Sequence, residues 1–361
     1  MFVYVGTYTR KEQYVDGKGE GIYGYRMEPA SGALTYVTTF TDTINPSFIA
    51  VHPSGRYLYA VNEQYEDLGP AGAVSAFAID SKTRELTFLN KRSSHGLGPC
   101  YVSVDHTGQY VLVANYLTGN VSVYSIEADG RLGDATDIVQ HTGSGPHWHQ
   151  DGPHAHFIMP DPTNAHIIAI DKGADKLIVY SLDLKQGILT AVDGSCHRVA
   201  PGTGPRHLDF HPSGRYAYCI NELSSTITAF RYDGELGRLT PIEVVPTLPD
   251  GFEGTNLSAA IQVAPSGKFV YGSNRGHDSI VIYQIDADTG KLTYVGHEKT
   301  QGATPRSFAI DPSGTLLLVA NQDTDSVVAF HIDQETGKLL PTGRVTEVPT
   351  PACINIVREC V

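Results

Sequence analysis

A twelve-residue segment occurs twice in this chain in nearly the same form. It reads HPSGRYLYAVNE from His52 and HPSGRYAYCINE from His211, so the copies start 159 residues apart, or three times 53. Looser copies of the same turn stand at His106-Thr107-Gly108, Asp161-Pro162-Thr163-Asn164, Ala264-Pro265-Ser266-Gly267 and Asp311-Pro312-Ser313-Gly314. Apolar and polar residues alternate on both sides of each turn, which is the pattern of a β-hairpin. We interpret the turn motif itself as structural.

A second repeated motif, Gly-x-Leu-Thr or a close variant of it, lies between these turns. Its seven copies place a leucine at Leu34, Leu86, Leu132, Leu189, Leu239, Leu292 and Leu339. The mean spacing is about 51 residues, so each period holds two hairpins, or four short strands. Repeats of this length with four strands each are typical of a β-propeller. The sequence therefore predicts an all-β, seven-bladed β-propeller with four antiparallel strands per blade, in one domain over residues 1–361.

The two chain ends predict how the seventh blade is completed. FVYVGTY near the N-terminus aligns with the second strand of the repeat, and PACINIV, at Pro351 to Val357, resembles a first strand. We expect the two segments to pair in one blade. Such pairing leaves no unpaired strand edge to template aggregation.

Composition narrows the classes of partner. The formal net charge is −13, so the chain lacks the basic footprint of a protein that binds nucleic acid or an anionic membrane. No apolar run approaches the roughly 18–20 residues of a membrane span, and the N-terminus does not resemble a signal peptide. Five cysteines without a CxxC pair are expected to be reduced core residues, which is typical of the cytoplasm.

Loop length varies at one end of the predicted blades. The long insertions, at 10–20, 64–72, 141–153 and 246–256, all fall in connections after a second or a fourth strand. These connections lie at the same end of a four-stranded antiparallel blade. Loops on a rigid scaffold carry specificity, so we expect the functional site at the upper mouth of the central channel.

Two positions near that mouth do not follow the repeat. The second strand ends in a repeated asparagine, which we interpret as structural, and the next residue varies: Tyr8, Glu63, Tyr116, Lys172, Glu222, Arg275 and Gln322. The second variable position lies near the start of the first strand: Ser47, Cys100, His156, Arg206, Ala259 and Arg306. Because the two strands are antiparallel, we expect His156, Arg206, Arg306, Glu63, Glu222, Arg275 and Gln322 to converge. We add His154, His207 and Asn274 as candidate substrate-binding residues.

A ring of arginine, glutamate and histidine in one concavity fits anion binding combined with acid–base chemistry. A structural alternative stays open, in which Glu63 and Glu222 form ion pairs with Arg275 and Arg306 between blades.

The segment HTGSGPHWHQDGPHAH holds five of the fifteen histidines. Its two HxH spacings resemble a zinc or copper site. It contains no HExxH motif and no carboxylate at a clear ligand spacing, so we expect no metal and no cofactor. His154 and His156 are better interpreted as residues of the channel mouth.

Four segments give the chain a wider resemblance: PHAHF, GPRHLDFHPSGRYAYCINEL, SNRGHDSIVIY and PRSFAIDPSGTLLLVANQ. They resemble the lactonase family of seven-bladed propellers, which includes bacterial 6-phosphogluconolactonases and fungal 3-carboxy-cis,cis-muconate cyclases, and the resemblance extends over essentially the whole chain. It implies a metal-independent site made of a histidine, two arginines and a glutamate, which match His156, Arg206, Arg275 and Glu222. A two-residue offset after Pro153 leaves both His154 and His156 as candidates for the histidine.

The resemblance implies hydrolysis of a sugar lactone, with 6-phosphogluconolactone as the first candidate and a small anionic lactone or carboxylate as the substrate class. Arg206 and Arg275 would hold the phosphate or polarise the carbonyl, and Glu222 or His156 would activate water. A muconate-type lactonising cycloisomerase and a non-enzymatic scaffold are the alternatives. The chain has one tryptophan and lacks the repeated Trp-Asp dipeptide of many scaffold propellers. The oligomeric state is not predicted.

Overall fold

A computed structural model of the chain describes residues 1–12, 14–64 and 72–358. These ranges contain β-strands and no helix. The strands of the first part of the chain are β1 (Phe2–Thr7), β2 (Lys11–Glu12), β3 (Val15–Asp16), β4 (Ile22–Met27), β5 (Leu34–Phe40), β6 (Ile49–Val51), β7 (Tyr57–Asn62), β8 (Ala73–Ile79), β9 (Leu86–Ser93), β10 (Pro99–Val104), β11 (Tyr110–Asn115), β12 (Asn120–Ile126) and β13 (Leu132–Gln140). Those of the second part are β14 (Ala155–Pro160), β15 (His166–Asp171), β16 (Lys176–Asp183), β17 (Ile188–Ala191), β18 (His197–Arg198), β19 (Pro205–Phe210), β20 (Tyr216–Asn221), β21 (Thr226–Asp233), β22 (Arg238–Pro246), β23 (Leu257–Val263), β24 (Phe269–Arg275), β25 (Ser279–Ile285), β26 (Leu292–Lys299), β27 (Pro305–Ile310), β28 (Leu316–Asn321), β29 (Ser326–Ile332), β30 (Leu339–Glu347) and β31 (Pro351–Val357).

The strands form the blades that the repeat predicts. Within the described residues, seven sheets have the orders β6-β7-β8-β9, β10-β11-β12-β13, β14-β15-β16-β17, β19-β20-β21-β22, β23-β24-β25-β26, β27-β28-β29-β30 and β31-β1-β4-β5. In six of them the strand order follows the chain, as in an antiparallel meander. The fold class is therefore the predicted seven-bladed β-propeller.

The last of these sheets confirms the pairing of the two chain ends. β1 lies between β31 and β4, with Phe2 opposite Val357 and Val5 opposite Ile354. All six residues of β1 are buried. The N-terminal segment is thus an inner strand of its blade, and the C-terminal segment supplies the first strand, as the alignment of the repeat predicts.

Contacts within the chain group its residues into two compact units. The first unit comprises residues 1–39, 207–232 and 240–361, and the second comprises 40–206 and 233–239. Each unit is described by itself below. The single domain that the repeat predicts over 1–361 stays a prediction.

The core of each unit lies between the faces of successive sheets. In the first unit, Val3 and Tyr25 pack with Leu316 and Leu318 of the β27–β30 sheet. In the second unit, Tyr59 and its neighbours pack in the same way with residues of the β10–β13 sheet. Buried apolar side chains of this size stabilise a fold by roughly 1.5–3 kcal/mol each, so the faces between blades supply much of the stability.

The histidine of the HPSG turn joins neighbouring blades. In the first unit, the His211 Nε2 atom lies 3.0 Å from the carbonyl oxygen of Gly267, which belongs to the next turn along the chain. The N–H of Gly214 donates to the His211 carbonyl at 2.8 Å, and Gly214 has φ +69°. The degenerate copy keeps this geometry, because Asn164 takes φ +62° at the glycine position, and asparagine tolerates that region better than most residues. The motif is thus the structural device that we predicted.

One prediction about the cysteines is wrong. Cys100, Cys219 and Cys353 are buried and reduced, as expected, but Cys196 is exposed. Cys196 follows a turn at Gly194 (φ +71°) that separates β17 from β18 and interrupts the outer edge of its sheet, so its side chain has no core to enter. Cys360 lies outside the described residues.

Candidate active site

The second variable position of the repeat, near the start of the first strand, lies at a β-bulge in several sheets. The register between β14 and β15 shifts around His156, and the register between β27 and β28 shifts around Arg306. Cys100 and Ala352 occupy the same place in their sheets. A bulge leaves one residue outside the ladder and re-aims its side chain. This explains physically why the repeat does not fix the residue type here.

The two variable positions lie near the same end of a sheet. Ala155 is opposite Asp171, and the Lys172 N–H donates to the His154 carbonyl at 2.9 Å, so Lys172 and His156 lie on either side of this matched pair. Pro305 is opposite Asn321 in the same way, which places Arg306 and Gln322 at one end of their sheet.

The repeated asparagine ties the second strand to the loop that enters its own blade. The side-chain Nδ2 of Asn115 donates to the Ser94 carbonyl at 3.0 Å, and that of Asn321 donates to the Thr300 carbonyl at 3.1 Å. Asn274 is buried, and both of its amide hydrogens and both acceptor positions of Oδ1 are used, by Thr247, Ser279, Asn256 and Ser258. This saturation favours the structural interpretation of Asn274 over a role in binding substrate.

Glu222 and Arg275 form a buried ion pair in the first unit. The Arg275 Nη2 atom lies 2.9 Å from Glu222 Oε2, and the two side chains are 13% and 6% exposed. The Arg275 guanidinium also donates to the carbonyl oxygens of Leu257 and Ser258. Burial lowers the pKa of Arg275, while the Glu222 carboxylate opposes that shift. The ion pair is the structural alternative we left open for Glu222, and together with the two carbonyl groups it holds the guanidinium in one orientation.

Arg306 and Tyr8 extend this charged cluster. The Arg306 guanidinium carbon lies 5.3 Å from the centre of the Tyr8 ring, a cation–π distance. The positive charge of Arg306 contributes to the lowered pKa of Arg275, because a nearby like charge disfavours the charged form. Gln322 is buried and donates from Nε2 to Asp323 at 2.9 Å.

In the second unit, His154 is bound by protein groups at both ring nitrogens. Nδ1 lies 2.9 Å from the Tyr116 carbonyl oxygen, and Nε2 lies 2.9 Å from Asp151 Oδ1. The hydrogen bond from His154 lowers the pKa of the Asp151 carboxyl. A carbonyl and a carboxylate only accept hydrogen bonds, so both ring nitrogens of His154 face protein acceptors.

His156 lies against the same aromatic group. The ring of Tyr116 stacks on His154, with centroids 4.5 Å apart, and meets His156 edge-on at 5.6 Å. The Lys172 ammonium donates to the Tyr116 hydroxyl at 3.1 Å. His156 and Lys172 are both buried. Tyr116 therefore places a histidine and a cation around one aromatic ring, a grouping that the repeat alignment had not singled out.

Asp171 occupies the place of the repeated asparagine in this sheet. Its Oδ1 accepts the backbone N–H groups of His154 and Ala174, and its Oδ2 lies 3.0 Å from His141 Nδ1. The Tyr180 hydroxyl reaches the other nitrogen of His141 at 3.1 Å. The amide of the repeated asparagine donates to a backbone carbonyl. The Asp171 carboxylate needs a hydrogen-bond donor instead, and His141 supplies that donor. The missing asparagine at position 171 was the signal that could have revealed this network.

The remaining candidates are also buried. Glu63 follows β7, and its backbone N–H and carbonyl group are both hydrogen bonded to Asn45. Arg206 and His207 are neighbours in β19 and lie in different units. The convergence of all these residues with Glu222 and Arg275 stays a prediction.

Of the segments predicted to be long loops, one contains two short strands and another contains none. Residues 10–20 include the small β2–β3 hairpin, whereas 141–153 contain no strand. Most of 64–72 lies outside the described residues. Among the residues that the structure describes, no group of three or more histidine, cysteine, aspartate or glutamate side chains is placed to hold a metal ion. The described part of the chain contains no helix that could cross a lipid bilayer.

Comparison with known proteins gives consistent matches. The family model described as "Lactonase, 7-bladed beta-propeller" matches residues 2–356. A 6-phosphogluconolactonase of Bacillus subtilis is 39% identical over 85% of this chain and 84% of its own length. One of Formosa agariphila is 36% identical over 86% of each chain. The solved structure of a periplasmic gluconolactonase of Pseudomonas aeruginosa is 32% identical, covers 99% of both chains and has a TM-score of 0.93. The chain therefore belongs to the lactonase family of seven-bladed β-propellers.

Proposed function

We propose that this chain is a lactone hydrolase that converts 6-phosphogluconolactone to 6-phosphogluconate without a metal or other cofactor. The buried Glu222–Arg275 ion pair is the observation that carries the proposal, because it stands where the repeat leaves the residue free. A guanidinium oriented in this way suits the polarisation of a carbonyl or the binding of an anion through a single nitrogen. The names of the Bacillus and Formosa relatives support the same reaction.

The reaction adds water to the carbonyl carbon of the lactone and breaks the bond between that carbon and the ring oxygen. A base takes a proton from the water, and the ring oxygen receives a proton as it leaves. Negative charge develops on the carbonyl oxygen, and a fixed guanidinium stabilises it in a desolvated site. We assign the stabilisation of this negative charge to Arg275. We assign the binding of the substrate's anionic group to Arg206 and Arg306. Glu63, Gln322 and His207 remain candidates for contacts with the sugar hydroxyls.

His156 is the preferred general base. A carboxylate paired with a guanidinium, such as that of Glu222, is a weaker base than an unpaired one. Both ring nitrogens of His154 are occupied by protein acceptors, so we do not assign the proton transfer to it. We therefore assign the proton transfer to His156. Glu222 orients the Arg275 guanidinium in this proposal. His154 supports the segment that carries Tyr116.

Steady-state kinetics on a panel of lactones test the proposal. We expect the unaltered protein to hydrolyse the phosphorylated gluconolactone well above the spontaneous rate, as measured by proton release. His156→Asn should lower kcat by about 10²–10⁴-fold. Arg275→Ala should lower kcat/KM by roughly 10- to 150-fold, the effect of a charge-assisted hydrogen bond. Tyr36→Ala, on the exposed outer strand β5, is the control and should be fully active.

The outcome for Glu222→Gln separates the two assignments of the base. If Glu222 orients Arg275, this variant should lose less activity than His156→Asn, because an amide oxygen still accepts from the guanidinium. A loss of kcat confined to Glu222→Gln, with His156→Asn active, would reverse the assignment. Absence of hydrolysis on every lactone would remove the proposed function. The comparisons favour neither the cycloisomerase nor the scaffold alternative.

We also propose a cytoplasmic location, because phosphorylated sugar lactones are intracellular metabolites and three of the four described cysteines are buried thiols. Fractionation with antibodies to the chain tests this. A periplasmic signal would instead favour an unphosphorylated lactone, since the related Pseudomonas protein is named a periplasmic gluconolactonase.

A further inference from the structure

The chain has a single tryptophan, and its indole ring is exposed to solvent. Trp148 is 77% exposed, the largest value among the exposed large hydrophobic residues of the described ranges. Covering so large an apolar ring with a ligand would be favourable. Tryptophan is also enriched at binding surfaces, because it offers a large rigid contact area. The indole of Trp148 is therefore a candidate contact for a ligand.

The indole is held in place although it is exposed. The imidazole of His149 stacks on it with centroids 3.4 Å apart, and the ring of His147 lies 5.7 Å from it. Gln150 is fully buried and anchors this segment: its Nε2 donates to the Lys172 carbonyl at 2.8 Å. Its backbone N–H donates to the His147 carbonyl at 2.8 Å. A ring fixed before binding loses little conformational entropy on contact with a ligand.

The same anchor connects the indole to residues of the proposed active site. Lys172, whose carbonyl binds Gln150, also contacts Tyr116 through its ammonium group. Asp151, three residues after Trp148, lies 2.9 Å from His154. His154 is two residues from His156 in the sequence and shares contact with Tyr116. The exposed ring is thus attached to the segment that carries the proposed base.

We propose that Trp148 is a specificity-determining residue that stacks on the ring face of the sugar lactone. This inference rests on the proposed function, since it names the part of the substrate that the loop recognises. The apolar face of a pyranose ring, made of its C–H groups, complements an indole surface, while the hydroxyl groups at its rim stay hydrated. The stacking should therefore favour six-membered cyclic sugars over open-chain sugar acids.

Intrinsic fluorescence gives a direct readout, because Trp148 is the only tryptophan of the chain. The probe is glucose 6-phosphate, which has the pyranose ring and the phosphate but no lactone carbonyl. We expect a saturable change in emission whose midpoint agrees with the constant for inhibition of lactone hydrolysis. Open-chain 6-phosphogluconate should cause a smaller change at equal occupancy. Competitive inhibition without any change in emission would overturn the inference.

Kinetics of variants provide a second measurement that does not depend on the probe. Trp148→Ala should raise KM for the lactone roughly 3- to 10-fold with little change in kcat, and Trp148→Phe should recover most of the loss. Tyr36→Ala, which removes an exposed ring from an outer strand, is the matched control and should leave KM unchanged. An unchanged KM in Trp148→Ala, in a protein that hydrolyses lactones, would refute the inference and leave the proposed function intact. Absence of hydrolysis by the unaltered protein would instead refute the proposed function.

Discussion

At the scale of single residues, Asp171 shows how one exchange in the repeat is compensated. Where other blades place an asparagine amide against a backbone carbonyl, this blade has a carboxylate that accepts from His141 and from two backbone N–H groups. A buried carboxylate costs little stability only when hydrogen-bond donors surround it. His141, one of three buried histidines of the His-rich segment, is therefore a structural partner of this carboxylate.

The contact between Asp171 and His141 predicts that substitutions at these two positions have non-additive effects on the free energy of unfolding. His141→Ser should destabilise the protein by about 3–5 kcal/mol, because it leaves a buried charge without its partner. The double variant Asp171→Asn/His141→Ser restores the arrangement of the other blades and should recover most of that loss. Urea unfolding of the two single variants and the double variant measures the coupling. Additive losses would show that the two side chains do not depend on each other.

The glycines of the repeated turns provide a matched pair of substitutions. Both Gly214 and Gly267 have φ near +70°, so alanine at either position adds backbone strain of about 1 kcal/mol. A Cβ atom at Gly214 meets no atom within 4 Å, whereas one at Gly267 lies 2.6 Å from His211 Nε2. We therefore expect Gly267→Ala to be the more destabilising, by about 1 kcal/mol for the lost hydrogen bond between blades. Equal melting temperatures would show that this contact contributes nothing.

The sequence predicts which positions vary at this end of the blades, but it does not predict what they contact. The alignment of the repeat selects Glu222 and Arg275, and leaves open whether they act as a pair. Their separation of 2.9 Å depends on backbone positions that the alignment does not contain. The bulge at His156 is similarly absent from the pattern, because an extra residue in a ladder can be seen only from hydrogen bonds. The hydrogen bonds at both ring nitrogens of His154 favour His156 over His154 as the general base.

At the scale of elements, first strands of successive blades are joined by a side chain near their lower ends. Ser103 of β10 donates to the carbonyl of Ile158 in β14 at 2.7 Å. Asp209 of β19 accepts the N–H of Val263 in β23 at 2.7 Å. Gln262 of β23 accepts the N–H of Ile310 in β27 at 2.9 Å. Each unit thus contains strand-to-strand links that no backbone ladder supplies.

Asp209 makes one of these links dependent on pH. Burial raises the pKa of its carboxyl to about 7, although the N–H groups of Val263 and Phe210 oppose the shift. Between about pH 4 and pH 7, the folded chain therefore holds a proton that the unfolded chain has released. The free energy of unfolding should fall as the pH rises through this window, by roughly 1–3 kcal/mol.

Urea unfolding at about pH 4.5 and about pH 7.5 measures this dependence. Asp209→Ser, which copies the residue of β10, should remove most of the decrease relative to the unaltered protein. Ser103→Ala is the control and should keep the full pH dependence. The same slope in Asp209→Ser as in the unaltered protein would assign the titration to other groups.

At the scale of the whole molecule, the fold depends on a strand from the very start of the chain. β1 is buried and pairs on both sides, so removing residues 1–8 exposes two strand edges and several apolar side chains worth roughly 1.5–3 kcal/mol each. We expect this truncation to unfold the protein, as measured by thermal melting. A synthetic peptide of residues 1–8, added in trans, should restore part of the stability. The same peptide with proline at Val3 and Val5 should fail, because proline cannot donate to the ladder. An unchanged melting temperature after truncation would contradict the role of β1.

The sequence predicts this architecture well because its period is long and regular. Turn residues with positive φ, such as Gly214 and Asn164, and leucines such as Leu189 and Leu292, mark each hairpin. These signals are local, so they can be read along the chain. The break between β17 and β18 could not be predicted in the same way, since it depends on one turn inside an otherwise regular outer strand.

The pairing of the first and last strands also means that the ladders of this fold do not depend on opening the chain between them. Phe2 lies directly opposite Val357, so a short linker could join the present ends without moving a strand. New ends could then open at an exposed turn such as that between β8 and β9. A circular permutant of this kind keeps every ladder, every link between strands and every residue of the proposed site. The ladders of the fold are therefore compatible with a chain that opens at another exposed turn.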